Sequence, residues 1–389
     1  MSNNNIENKY DTHSPVENID TKSKHKEPED GIALCLSGGG YRAMLFHLGA
    51  LWRLNELGYL KKLSRISSVS GGSITSAVLG MNWLNLSFDD NLVAKNFVAQ
   101  VVNPLCNLAS KTIDRKAILS GILTPGSISQ KATKAYRKYL FGDKTLQDLP
   151  NDPPRFVINS TNVQSGALWR FMKPYMRDWK VGEVKNPTIS LAAAVTASSA
   201  FPPVLSPAKL KLNDADFSPN SGHLLQKEPY TTDVILSDGG VYDNLGLETA
   251  WKRCKTILVS DGGGRMKSDP EPKKDWAGHM FRILQVIDNQ VRSLRKKQLI
   301  DSFKNGARNG TYWGIRTNIA DYDLPDAMNF PFDKTMELAN VKTRLKRLDS
   351  ATQERLINWG YAVCDAAIRR HVDGSFEAPR SFPYSESAV

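Results

Sequence analysis

Ile32-Ala33-Leu34-Cys35-Leu36-Ser37-Gly38-Gly39-Gly40-Tyr41-Arg42-Ala43 is the stretch on which the fold turns. Its apolar run has the unbroken character of a parallel strand buried on both faces. The glycines then make a tight loop, and Met44, Leu45, Leu48, Leu51, Trp52 and Leu54 follow at helical spacing up to a stop signal at Gly58. A second unit begins almost at once, with a strand over 65–69, the loop Ser70-Gly71-Gly72 and a helical run over 73–84. Strand, loop and helix twice over within about 50 residues predict a parallel α/β sheet.

The rest of the 389 residues extends that pattern. Residues 85–150 read as a helical insertion that could cap a site, 155–160 and 168–172 as strands, and 190–199 as an Ala-rich helix stopped by Phe201-Pro202-Pro203. Two further strands, 234–236 and 256–259, each end in Ser-Asp-Gly-Gly, at 237–240 and at 260–263. Beyond Gly264 the chain reads as mainly helical, and Ser350 with Gln353 forms a capping box opening a last helix to about residue 370. Residues 1–30 are polar and lack the apolar core of a signal peptide, and the weakly polar stretch 189–205 is too interrupted to span a bilayer. A cytoplasmic protein is expected. Four cysteines without a CxxC pair exclude a zinc framework and a disulfide scaffold. The composition, 41% hydrophobic, supports a sizeable core, and the net charge of +11 favours an anionic partner. Arg292, Arg295, Lys296 and Lys297 cluster on a helical stretch whose other face carries Ile283, Ile287, Val291 and Leu294; such a cluster could draw the protein to anionic lipid headgroups, but a solvated helix face is the preferred reading.

Three chemistries compete for the first glycine loop. A P-loop would need Gly-Lys-Ser/Thr after four intervening residues, and none is present. The dinucleotide fingerprint is met at Gly38, Gly40 and Ala43, but the second strand ends Ser67-Ser68-Val69-Ser70 without the acid that would hold a ribose. The third is an oxyanion hole built from the N–H groups of Gly38, Gly39 and Gly40, with Arg42 as support. Ser68-Val69-Ser70-Gly71-Gly72 is close to the G-x-S-x-G nucleophile elbow, with Gly71 and Gly72 giving the turn its room and Ser68 in place of the first glycine. A serine nucleophile needs a base. None of His13, His25, His47, His223, His279 and His371 ends a strand, although His279 or His371 could complete a Ser-Asp-His order. Asp238, with Gly239 and Gly240 behind it, and Asp261 are equivalent by spacing as bases.

Together these segments resemble the patatin-like phospholipase family. The glycine loop matches its oxyanion segment, with Ser37 where an Asp is usual and Ala43 where a Gly is usual. Ser70 aligns with the nucleophile, and Asp238-Gly239-Gly240 followed by Asn244 looks like the D-G-G/A motif, which favours Asp238 over Asp261. Residues 142–150 and 197–203 resemble two further family segments. The resemblance implies a three-layer α/β/α fold with a mainly parallel sheet. It divides the chain into a flexible tail (1–30), an acyl hydrolase domain (31–263) and a mainly helical extension packed on it (264–389). It also implies a Ser70–Asp238 dyad that uses no histidine, metal or cofactor, acting on membrane phospholipids through peripheral contact. No nucleic acid polymer is expected as a partner. Some bacterial members degrade membranes when a cyclic nucleotide binds, so a small nucleotide activator is one alternative. A non-catalytic lipid-binding protein, suggested by Ser37, Ala43 and Ser68, is the other.

Overall fold

The computed structural model describes residues 28–113, 127–202 and 205–387. Most of the expected tail, His13, His25, part of the 85–150 insertion and Pro203 lie outside them. Ten strands form one sheet: β1 (Glu29–Leu36), β2 (Leu63–Val69), β3 (Arg155–Asn162), β4 (Ala167–Phe171), β5 (Tyr175–Asp178), β6 (Gly182–Lys185), β7 (Ala208–Lys211), β8 (Asp233–Asp238), β9 (Cys254–Asp261) and β10 (Asn309–Gly314). The order along the main path is β10-β9-β1-β2-β3-β4-β5-β6, parallel from β10 to β3 and antiparallel beyond.

Alternation along β1 shows why the sheet is covered on both sides. Leu34 and Leu36 join the larger core, under α1 (Gly40–Glu56), α2 (Gly71–Asn82) and the C-terminal helix α10 (Ser350–His371). Ala33 and Cys35 face a smaller core with Ala250 of α7 (Glu248–Trp251) and Leu299 of α8 (Trp276–Lys304). The result is the expected three-layer fold. Among the described residues the remaining α-helices are α3 (Asn103–Ala109), α4 (Ser127–Tyr136), α5 (Leu191–Ser198), α6 (Gly240–Asp243) and α9 (Phe332–Ala339).

One expectation changes in detail. α10 is capped by Asp349, whose carboxylate accepts the Thr352 N–H at 2.9 Å, while the Gln353 amide instead reaches Leu348 and Ser110. An aspartate one residue earlier outcompetes the serine because its charge also suits the helix's positive end. The strand expected at 234–236 is present as β8, and its direction, which the sequence left open, is antiparallel to β3 and β7. α10 crosses α1 so closely that a methyl on Gly49 would overlap the Ile357 carbonyl, and one on Gly360 the Phe46 carbonyl.

Candidate active site

The two key strands meet end to end. β2 pairs with the first part of β3, up to Val69 opposite Asn159. From Ser160 onward that edge of β3 is taken by β8 running the other way, with Asp238 opposite Ser160. The C-terminal ends of β2 and β8 therefore point at each other, and the Ser70 side chain lies beside the Asp238 carboxyl, whose charged form it favours. Ser70 sits at φ 52°, ψ −118°, a conformation costing on the order of 1–3 kcal/mol that only well-determined surroundings sustain.

Those surroundings are specific. The Ser70 N–H donates to Ser198 Oγ at 3.0 Å, while the Ser70 carbonyl accepts the N–H groups of Ser73 and Ile74. Gly71 abuts the glycine loop: a Cβ there would overlap the Gly40 carbonyl and lie 3.0 Å from the Gly40 nitrogen. The turn after α5 braces the other partner, since the N–H groups of Asp238 and Gly239 bond the Ala200 and Ser198 carbonyls at 2.9 and 3.2 Å. Ser198 thus ties serine to aspartate, a role its sequence context did not reveal. The only trace was its place within the segment 197–203.

The electrostatics suit proton transfer. Burial pushes the Asp238 carboxyl up to about 7, against the Gly240 N–H at 2.7 Å and the Ser70 hydroxyl, which pull it down. A base with that value titrates near neutrality. Two helix N-termini, α1 at Gly40 and α2 at Gly71, begin beside Ser70 and place partial positive charge where an oxyanion would form.

A family model described as patatin-like phospholipase matches residues 34–251, more than half of the chain. The chain belongs to the patatin-like phospholipase family. No curated protein matches it. Among solved structures it is similar to human GIVD cytosolic phospholipase A2 (13% identity, TM-score 0.47), covering 86% of this chain and 58% of that one. The same human protein in complex with methyl γ-linolenyl fluorophosphonate gives 14% identity, TM-score 0.49 and coverages of 88% and 57%. VipD from Legionella pneumophila gives 15% identity and TM-score 0.34, with coverages of 86% and 66%. The chain thus spans less than three fifths of the human protein it matches.

Each departure from the patatin pattern has a local accommodation. Ser68 is fully buried, donating to the Val157 carbonyl at 3.1 Å and accepting from Ser73. The Ala43 methyl packs where Gly39 and Gly262 have no side chain. Ser37 uses its carbonyl to accept the Gly72 N–H at 3.2 Å and a His47 ring nitrogen at 2.9 Å.

In the loop between β1 and α1 the three glycines have different surroundings. Gly38 lies against Ser70, a Cβ on it falling 3.2 Å from Ser70 Cβ, but its N–H is bonded to the Asn244 carbonyl at 3.1 Å. Gly39 and Gly40 have φ of 150° and 61°, and among the described residues no protein acceptor takes their N–H groups. Arg42 braces the loop, donating to the Gly262 and Val341 carbonyls at 3.1 and 2.6 Å.

Asp261 is not brought to Ser70. Burial alone would raise its carboxyl, but Lys296 at 2.5 Å and Arg292 at 3.5 Å overcome that and hold it far below the usual carboxylate range. Tyr312 and the Gly263 N–H occupy its remaining lone pairs. It is a permanent anion anchoring α8. His47 is buried between Ser260 Oγ and the Ser37 carbonyl, and burial lowers its pKa to about 4. His279 is exposed on α8, His223 stacks near Trp179 and His371 near Tyr322, so none of these meets the dyad. Among the described residues no cluster of three or more His, Cys, Asp or Glu side chains is arranged to hold a metal ion.

Proposed function

We propose that the protein is a lipid acyl hydrolase of phospholipase A type working through a Ser70–Asp238 dyad. The observation that carries this reading is the Ser70 side chain next to a buried carboxyl poised near neutral pH, beside two amides without protein acceptors. Ionised Asp238 takes the Ser70 proton as Oγ attacks the acyl carbonyl carbon. The carbonyl oxygen becomes an oxyanion held by the Gly39 and Gly40 N–H groups, each worth ~3 kcal/mol in the transition state. The C–O bond to the leaving alcohol breaks, and protonated Asp238 returns its proton to that oxygen. Water, deprotonated by Asp238, then attacks the acyl-serine; the bond from the acyl carbon to Ser70 Oγ breaks, Asp238 returns the proton to Oγ, and the fatty acid leaves. A carboxylate can serve without an imidazole because its own pKa already lies near the working pH.

The test compares Ser70→Ala, Asp238→Asn, Asp261→Asn, His279→Ala and His371→Ala on one acyl ester with chelator present. The first two should lose activity by orders of magnitude while remaining folded. A folded histidine variant as inactive as Ser70→Ala would replace the dyad with a triad.

A further inference from the structure

Helix α8 is built inside out. Trp276, Met280, Ile283, Leu284, Ile287, Val291 and Leu294 fall within an arc of about 100° at 3.6 residues per turn, a stripe about 27 Å long. An amphipathic helix normally turns such a stripe to the core. Here all seven side chains are exposed, from 39% at Val291 to 81% at Trp276. From Arg292 onward the opposite face is the one that meets the protein, whereas the first half of the helix stands away from it, with Phe281 also exposed. Arg292 and Lys296 hold Asp261, Arg295 reaches Asp243 and Glu248, and Leu299 with Phe303 enters the smaller core. Of the basic cluster that read as solvated, Arg292, Arg295 and Lys296 are therefore turned inward and Lys297 stays exposed, while the apolar stripe faces outward.

We propose that this stripe docks the protein on a lipid bilayer bearing anionic headgroups, lying at the headgroup–acyl boundary. Among the described residues no helix is long and apolar enough to cross a membrane, so the contact is interfacial. Charge selects the occupant. A second copy would bring +11 against +11, whereas an anionic surface attracts that charge. Exposed Lys267, Lys273, Lys274 and Lys297 flank or lie on the helix, and Trp276 at its start has the amphipathic ring suited to an interface. Position agrees with charge. Arg292 of α8 donates to the Gly264 carbonyl in the loop after β9, and Gly262 of that loop packs on Ala43 of α1. Two more exposed apolar side chains stand at the dyad: Val241 follows Gly240, and Phe201 follows Ala200, whose carbonyl binds the Asp238 N–H. The docking surface rests on the lipid-hydrolase reading, to which it would bring the bilayer ester.

Binding is measured on full-length Ser70→Ala protein, so that vesicles are not consumed, by flotation with phosphatidylcholine vesicles with and without phosphatidylglycerol. The protein should float with the anionic vesicles and detach as salt rises. Adding Ile283→Ser, Ile287→Ser and Leu294→Ser, all exposed positions, should lower partitioning by about 100-fold or more with an unchanged circular dichroism spectrum. Equal binding by the two proteins, or no binding by either, overturns the proposal. So does a dimer that the three serines dissociate without vesicle binding, which would assign the stripe to a second copy. Stripe-dependent binding by a protein whose wild type cleaves no acyl ester supports the docking surface and removes the hydrolase reading alone.

Discussion

The pH profile of Asp238 is the sharpest test of the dyad. Its carboxyl rises from 3.8 to about 7 because burial outweighs the pull of the Gly240 N–H and the Ser70 side chain, and Asp288 adds a further push upward. Only the ionised form can accept the serine proton, so kcat/KM for a soluble short-chain ester should climb with pH through 7 and level off above it. For a single ionisation the rate at pH 6 should be about a tenth of the plateau, and at pH 5 about a hundredth. Asp288→Asn removes the neighbouring negative charge and should move the midpoint to lower pH by a few tenths of a unit. The same shift acts on stability. A folded-state pKa raised above the unfolded value gives a contribution present in full below the unfolded pKa and lost as pH rises through about 7. Three units correspond to ~4 kcal/mol, so Asp238→Asn, which keeps an acceptor for the Gly240 N–H, should be inactive yet more stable than its parent above pH 7. Urea unfolding at pH 5 and pH 8 reads this. A level rate profile from pH 5 to 8, a midpoint near 4, or an Asp238→Asn protein less stable at pH 8 than its parent would refute the reasoning.

Other expectations follow from single contacts. Ser198→Ala removes the acceptor for the Ser70 N–H, and should lower kcat about 10- to 100-fold with less effect on KM in steady-state assays. Asp261→Asn strips the partner from Lys296 and Arg292, and should cost a few kcal/mol in urea unfolding while leaving most of kcat. Gly360→Ala forces α10 away from Phe46 and should cost ~1–3 kcal/mol, read in the same way.

Much of the fold was legible because its signals are local. The apolar run of β1, the glycine loop and the periodic α1 lie within one short stretch, and turn chemistry placed Ser70 at a strand end. The Asp238 strand shows the limit of such signals. Its ending marks a turn, but nothing within it says that β8 runs against β3 and meets β2 head-on. That depends on β3 outrunning β2 and leaving an edge free. The role of Ser198 was hidden for the same reason, since a serine closing an Ala-rich helix carries no sign of the strand ends it braces.

The sequence by itself determined the βαβ start, the sheet class, the family and the short set of residues able to act as nucleophile and base. Spacing left the two Ser-Asp-Gly-Gly copies alike, because identical tetrapeptides have identical local chemistry, and only the family resemblance favoured Asp238. Tertiary structure made them opposites: one aspartate is buried without a cation and titrates near neutrality, while the other is clamped between Lys296 and Arg292. It likewise turned Arg292, Arg295 and Lys296 of α8 inward and its apolar stripe to solvent. Helical periodicity specifies which residues share a face, but burial, charge and partners contributed from distant parts of the chain decide where that face points.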